Sequence, residues 1–291
     1  MYKKLLKYDL KSVWRFALPI LIGLGAITLV GCINIILFNG LIAPKMSADF
    51  RAPGSEVWLA LGATLNYIIS NLVNIARGMI PTAIMVVICV DFYQTLVTDQ
   101  GYLTFTLPVE AKTIILSKFT NALIWVFGGG IACFLSLWLE SLCATLTMGD
   151  TYGFTAGDMF GTVGELMDQM QQLITPDIGM IIVLAVLLGL FYVVNDILLY
   201  FAAIFFGSVL AKKNKLLMAI GCIFGANFIY GLVFGIIFII AIFAVGVAAA
   251  AETLVLAIQI AIVVCILLIA GMSVGLAFAL KYMMEKKLNL A

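Results

Sequence analysis

The chain has 291 residues, of which 64% are hydrophobic and only 11% charged. Soluble domains carry about a quarter charged residues, so a water-soluble globule is excluded; the net charge of +1 selects no acidic or basic partner, and no nucleic-acid partner is expected. Cys32, Cys89, Cys133, Cys143, Cys222 and Cys265 all lie in apolar runs, with no CxxC pair and no histidine in the chain, which excludes zinc and disulfide readings and leaves them as small packing residues.

The chain opens on a basic segment. Lys4, Lys7, Lys11 and Arg15 recur at helical spacing, and Leu6, Leu10, Val13 and Ala17 recur on another face. This pattern predicts an interfacial helix over 1–15, lying in the headgroup plane with its lysines near anionic lipid. The plainer alternative is a basic tail that only orients the first span. The apolar run that follows, Phe16 to Ala43, is longer than the ~7–15 residues of a signal-peptide core, so a cleaved signal is not expected.

A span needs roughly 20 apolar residues. Such runs occur at 16–43, 57–90, 119–147, 179–210, 217–247 and 254–280. They predict an all-α, polytopic membrane protein with six transmembrane helices, read as one membrane domain over 1–291, because no polar segment is large enough to fold separately. The second run is long for one helix. A break at Pro81 would leave only Thr82 to Val90, too short to cross a core of ~30 Å, so one helix kinked near Pro81 is expected.

Thirteen of the sixteen Lys and Arg residues fall before the first span, between spans two and three, between four and five, or after the sixth; Lys45 and Arg51 fall on the other side and Arg77 inside a span. The positive-inside rule then places both termini in the cytoplasm of a multi-pass plasma-membrane protein. On the opposite side, segment 148–178 carries Asp150, Asp158, Glu165, Asp168 and Asp177 without a basic residue, and Met159, Val163, Leu166, Met170 and Leu173 recur within it at helical spacing. A short amphipathic outer helix is expected there. The acidic residues read either as an attractor for a cationic substrate or as an ordinary outer loop free of lysine.

Ionisable residues inside spans are costly and seek partners. There are three, Arg77, Glu140 and Asp196, with Asn71 and Asn74 preceding Arg77 and Asn195 beside Asp196. At ~1.5 Å per residue, Arg77 and Asp196 lie at matching depths of about 20 Å from the inner end of their spans, and Glu140 at about 32 Å. Arg77 and Asp196 are therefore the expected pair, with Glu140 as the alternative partner, either fixing helix packing or lining a substrate path. Glycine pairs Gly221/Gly225, Gly231/Gly235 and Gly271/Gly275 give the small-xxx-small spacing of close helix packing, within the bundle or between subunits.

No GxxxxGK[ST] or HExxH sequence is present, so the chain is not expected to be an enzyme or to hold ATP itself. The segment 91–118 places an apolar patch, Tyr102-Leu103-Thr104-Phe105 and Leu107-Pro108-Val109, between spans two and three, before a short helix over Glu110 to Lys118. An apolar patch on a cytoplasmic loop suggests docking to a soluble protein; the alternative is packing back on the bundle.

Two stretches carry a resemblance: LLKYDLK at Leu5–Lys11 and GYLTFTLPV at Gly101–Val109, followed by Leu116-Ser117-Lys118. With them the chain resembles the permease subunits of type-2 ABC exporters in the form common in Gram-positive bacteria. Members usually have Glu where this chain has Asp9, often Ser or Thr where it has Glu110, and often an acidic residue directly before the Gly-Tyr pair, where Gln100 stands here. The resemblance implies a first amphipathic helix, six spans, and a loop whose Tyr102, Phe105, Leu107, Pro108, Val109 and Glu110 couple to an ABC ATPase. It implies two ATPase copies, which would hold the ATP and Mg, and a second permease, identical or related. No cofactor is expected in this chain. The implied activity is export of a substrate such as an antimicrobial peptide, a lipid or a drug. The rival readings are an ion- or proton-coupled secondary transporter using Asp196 as relay, and a non-transporting membrane scaffold or sensor.

Overall fold

A hydrocarbon environment offers the backbone no water, so an apolar chain must satisfy its own N–H and C=O groups, and a helix does so within one segment. The computed structural model describes residues 2–42, 55–98, 111–152, 176–210, 214–250 and 254–286. They form six long helices: α1 Tyr2–Leu37, continued by a π-helical turn Phe38–Ile42, then α2 Ser55–Leu96, α3 Ala111–Tyr152, α4 Pro176–Leu210, α5 Lys215–Ala250 and α6 Leu254–Lys286. Each is long and apolar enough to cross a membrane. Large apolar side chains such as Ile22, Leu29, Phe134, Phe224 and Leu267 point outward, which only a lipid environment makes favourable over so many positions.

The second apolar run is one helix, with Pro81 inside it. The basic segment is not set off from the first span: residues 2–37 are one unbroken helix. Lys3, Lys4, Lys7, Lys11 and Arg15 are exposed on it, while Asp9, Val13 and Ala17 are buried at i, i+4 spacing. The residues 111–118 are likewise the first turns of α3 rather than a separate helix. The outer helix expected over Met159–Leu173 lies outside the described residues.

Where the sequence reads as one domain, the helices group into two compact units. One comprises Met1–Leu10, Ile88–Leu123 and Gln171–Ala291, the other Lys11–Val87 and Ile124–Met170. The boundaries cut α1, α2 and α3 along their length, so no polar linker marks them in the sequence. In the first unit α4 packs against both α5 and α6. Its core is aromatic at one point: Phe92 stacks on Phe201 with ring centroids 3.9 Å apart and meets Phe205 edge-on at 5.4 Å, both favoured ring geometries. The second unit buries Val13, Ala17, Leu24, Val73, Ile80 and Ile84, and Trp14 lies against Trp125 at 5.7 Å.

The glycine pairs do not mark the close contacts. A Cβ added at Gly221, Gly225, Gly231, Gly235, Gly271 or Gly275 meets nothing within 4 Å. The spacing puts two small residues on one face, but it cannot supply a helix that crosses there. The tightest backbone approach is at Gly207 of α4, where an added Cβ would lie 2.6 Å from Ala219 Cα on α5. Backbone cannot yield as a side-chain tip can, and overpacking costs about 1–3 kcal/mol. Gly207→Ala is therefore expected to lower the apparent melting temperature in detergent, while Gly221→Ala leaves it unchanged. Equal melting of the two variants would contradict the packing.

Candidate functional site

Among the described residues, three polar clusters interrupt the apolar helices. The first ties the start of α1, the end of α2 and the start of α3 together within one unit. Lys118 Nζ lies 2.8 Å from Asp9 Oδ1 and 2.8 Å from Asp91 Oδ2. Ser117 Oγ donates to the other Asp9 oxygen at 2.6 Å, and Tyr2 OH donates to Thr120 Oγ1 at 2.8 Å. Lys118 is only 4% exposed, Asp9 8% and Asp91 7%. One cation between two carboxylates leaves the triad with a formal charge of −1, and charge-assisted bonds of this kind are short and strong.

Sequence reading missed this triad, although a signal was present. Asp91 ends one apolar run and Lys118 begins the next, so the loop between them brings opposite charges to the same level. Asp9 stands on the helical face of Val13 and Ala17, an apolar stripe on which a lone carboxylate requires a partner.

The second cluster belongs to the other unit and is centred on Arg77. Its Nη2 pairs with Glu140 Oε1, its Nε donates to Ser136 Oγ at 3.0 Å, and its Nη1 donates to Asn74 Oδ1 at 3.0 Å. Ser136 Oγ is also 2.7 Å from Thr28 Oγ1, which donates to Leu24 O. Three helices thus share one network, and Gly31 of α1 leaves the space that Glu140 fills. Further along, Asn34 Nδ2 donates to Asn66 Oδ1 at 2.8 Å and to Ser70 Oγ at 3.2 Å, and Asn39 Nδ2 donates to Thr147 Oγ1 at 2.9 Å.

The partner of Arg77 is therefore Glu140, and the expected pairing with Asp196 is corrected. Counting Cα depth misjudged the reach of the side chains. Helical side chains lean toward their own N-terminus. In the antiparallel helices α2 and α3 this lean brings Arg77 and Glu140 toward each other. The Arg77–Asn74 bond, to a residue one turn nearer the N-terminus of α2, fixes the guanidinium in that direction.

The third cluster lies in the first unit. Asn195 Nδ2 donates to Tyr230 OH at 2.9 Å, and its Oδ1 accepts from Ser273 Oγ at 3.1 Å. Asn195 is fully buried and Asp196 half-buried. The structure thus joins Arg77, Asn74 and Glu140 in one network and puts Asn195 in another. The six residues expected to couple to an ATPase, Tyr102, Phe105, Leu107, Pro108, Val109 and Glu110, lie outside the described residues.

The described helices define a multi-pass membrane protein. No family model, no curated protein and no solved structure matches the chain.

Proposed function

We propose that this chain is the membrane-spanning permease subunit of an ATP-driven exporter, set in a bacterial cell membrane with both termini in the cytoplasm. The observation that supports this reading best is the Asp9–Lys118–Asp91 triad at the ends of the two helices that the Gly101–Val109 motif separates in the sequence. The motif lies between α2 and α3, and the triad bonds the ends of those two helices to the start of α1. A soluble ATPase that pushes on the loop then moves three helices as one body, and the load is carried by buried ionic bonds rather than by a flexible hinge.

In this reading two permeases form the path and two ATPase subunits, holding ATP and Mg, dock beneath it. ATP binding closes the ATPase pair, and the loop passes the motion on. The substrate must contact the two states of the permease with different free energy, since only that difference couples binding to a conformational change.

Copurification of a P-loop ATPase with the tagged chain, together with substrate-stimulated hydrolysis, tests the proposal. Leu107→Ala with Val109→Ala is expected to weaken ATPase capture by about tenfold or more, as loss of central contact residues does. Asp158→Ala with Glu165→Ala is expected to leave it unchanged. The reverse outcome would remove the loop from the coupling path. A proton gradient that drives transport without ATP would support the ion-coupled reading instead, which the unpartnered Asp196 favours.

A further inference from the structure

Of the carboxylates in the described spans, Asp9, Asp91 and Glu140 each have an ion-pair partner, whereas Asp196 has neither a hydrogen bond nor an ion pair among the described residues. A carboxyl group within a transmembrane helix is costly unless it meets a proton, water or a counter-charge. Tyr192 and Tyr200 stand one turn to either side of it on α4, and both, with Tyr230 of α5, lie within electrostatic reach of its charge. Tyr192 and Tyr230 have ring centroids 6.2 Å apart, and Tyr230 lies 4.4 Å from Phe234. The Asn195 bond to the Tyr230 hydroxyl fixes that ring.

Beside this aromatic group is a cavity of about 380 Å³, walled by Tyr192, Phe234, Leu188, Ile237 and Ile269. Its volume is within the range of small-molecule sites, ~300–1,000 Å³, and its lining is apolar as theirs is. One carboxylate cannot hold a hard divalent ion, which needs six or more oxygen ligands. An anion is repelled, and a neutral lipid leaves Asp196 without a partner. An organic cation fits this arrangement: its charge pairs with Asp196, one turn along α4 from the cavity-lining Tyr192, and its contact with the half-exposed Tyr192 ring is a cation–π interaction.

We propose that Asp196 and Tyr192 form a binding site for a lipophilic monovalent organic cation, whose apolar body occupies the cavity between α4, α5 and α6. As a transported substrate this cation rests on the transporter reading above; its binding does not. The test therefore uses the purified chain in nanodiscs of zwitterionic lipid, without nucleotide or ATPase. The probe is radiolabelled tetraphenylphosphonium, with the isosteric anion tetraphenylborate as its counterpart.

Saturable binding of the phosphonium, displaced by excess unlabelled probe and not matched by the borate, is expected. Asp196→Asn should weaken it by about tenfold or more, as removing one member of a desolvated charge pair does. The amide is of equal size and breaks no protein bond, so folding is retained. Tyr192→Leu, at a half-exposed position, should weaken binding by about threefold or more through loss of the ring face. Equal binding of the two probes, absence of saturable binding, or full binding by both variants would overturn the site. None of these outcomes touches ATPase capture, so this inference and the exporter reading fail separately.

Discussion

Lys118→Met is expected to unfold the first unit more readily than any other single charge change among the described residues. The substitution keeps the length of the side chain and removes its charge. Asp9 and Asp91, both bonded to Lys118, then face each other across a buried site with no cation between them. Breaking a buried ionic group by removing one partner costs about 3–5 kcal/mol, and here two carboxylates are stranded at once. Lys112→Met, on the same helix at an exposed position, should stay within about 0.5 kcal/mol of the parent. Combining Lys118→Met with Asp9→Asn and Asp91→Asn should recover much of the loss, because a neutral set no longer carries unmatched charge. Thermal unfolding in detergent, followed by loss of the monodisperse peak, measures all three. If Lys118→Met melts with Lys112→Met, the triad is not holding these helix ends.

Arg77 gives the second large effect. Arg77→Gln and Glu140→Gln should each destabilise the protein, with Arg77→Gln the worse because it also releases Ser136 and Asn74. The pair should couple by about 1–3 kcal/mol in a double-mutant cycle, and the exchange Arg77→Glu with Glu140→Arg should restore part of the loss. The exchange is not expected to be complete, since a glutamate cannot donate to Ser136 or Asn74. Rescue of Arg77→Glu by Asp196→Arg rather than by Glu140→Arg would restore the pairing suggested by depth alone and contradict the geometry.

The six helices were legible in the sequence because each leaves an apolar run longer than a membrane core requires. Their ends were not. Counting hydrophobic residues stops at Val90, yet α2 continues to Leu96 through Asp91, because a charge that finds Lys118 no longer marks the edge of the bundle. Lys118 itself counts among the residues that set orientation, and nothing in a tally of charges separates a lysine held between two carboxylates from one in water. Arg77, Asn74 and Glu140 could be picked out as a group by their cost in a span, but their pairing depended on which way each side chain leans. The division into two units was invisible, since it falls within helices whose composition does not change there.

The triad also sets an order in time. Asp9 precedes Lys118 by 109 residues, and Asp91 precedes it by 27. At about 5–20 residues per second, the first carboxylate waits roughly 5–20 s for its cation to leave the ribosome. During that interval the first two helices cannot take their final places, because each carries a charge that only the third will neutralise. Arg77 waits similarly for Glu140. Helix α3 supplies the missing member of both networks, so its insertion is the event that allows the first half of the chain to close.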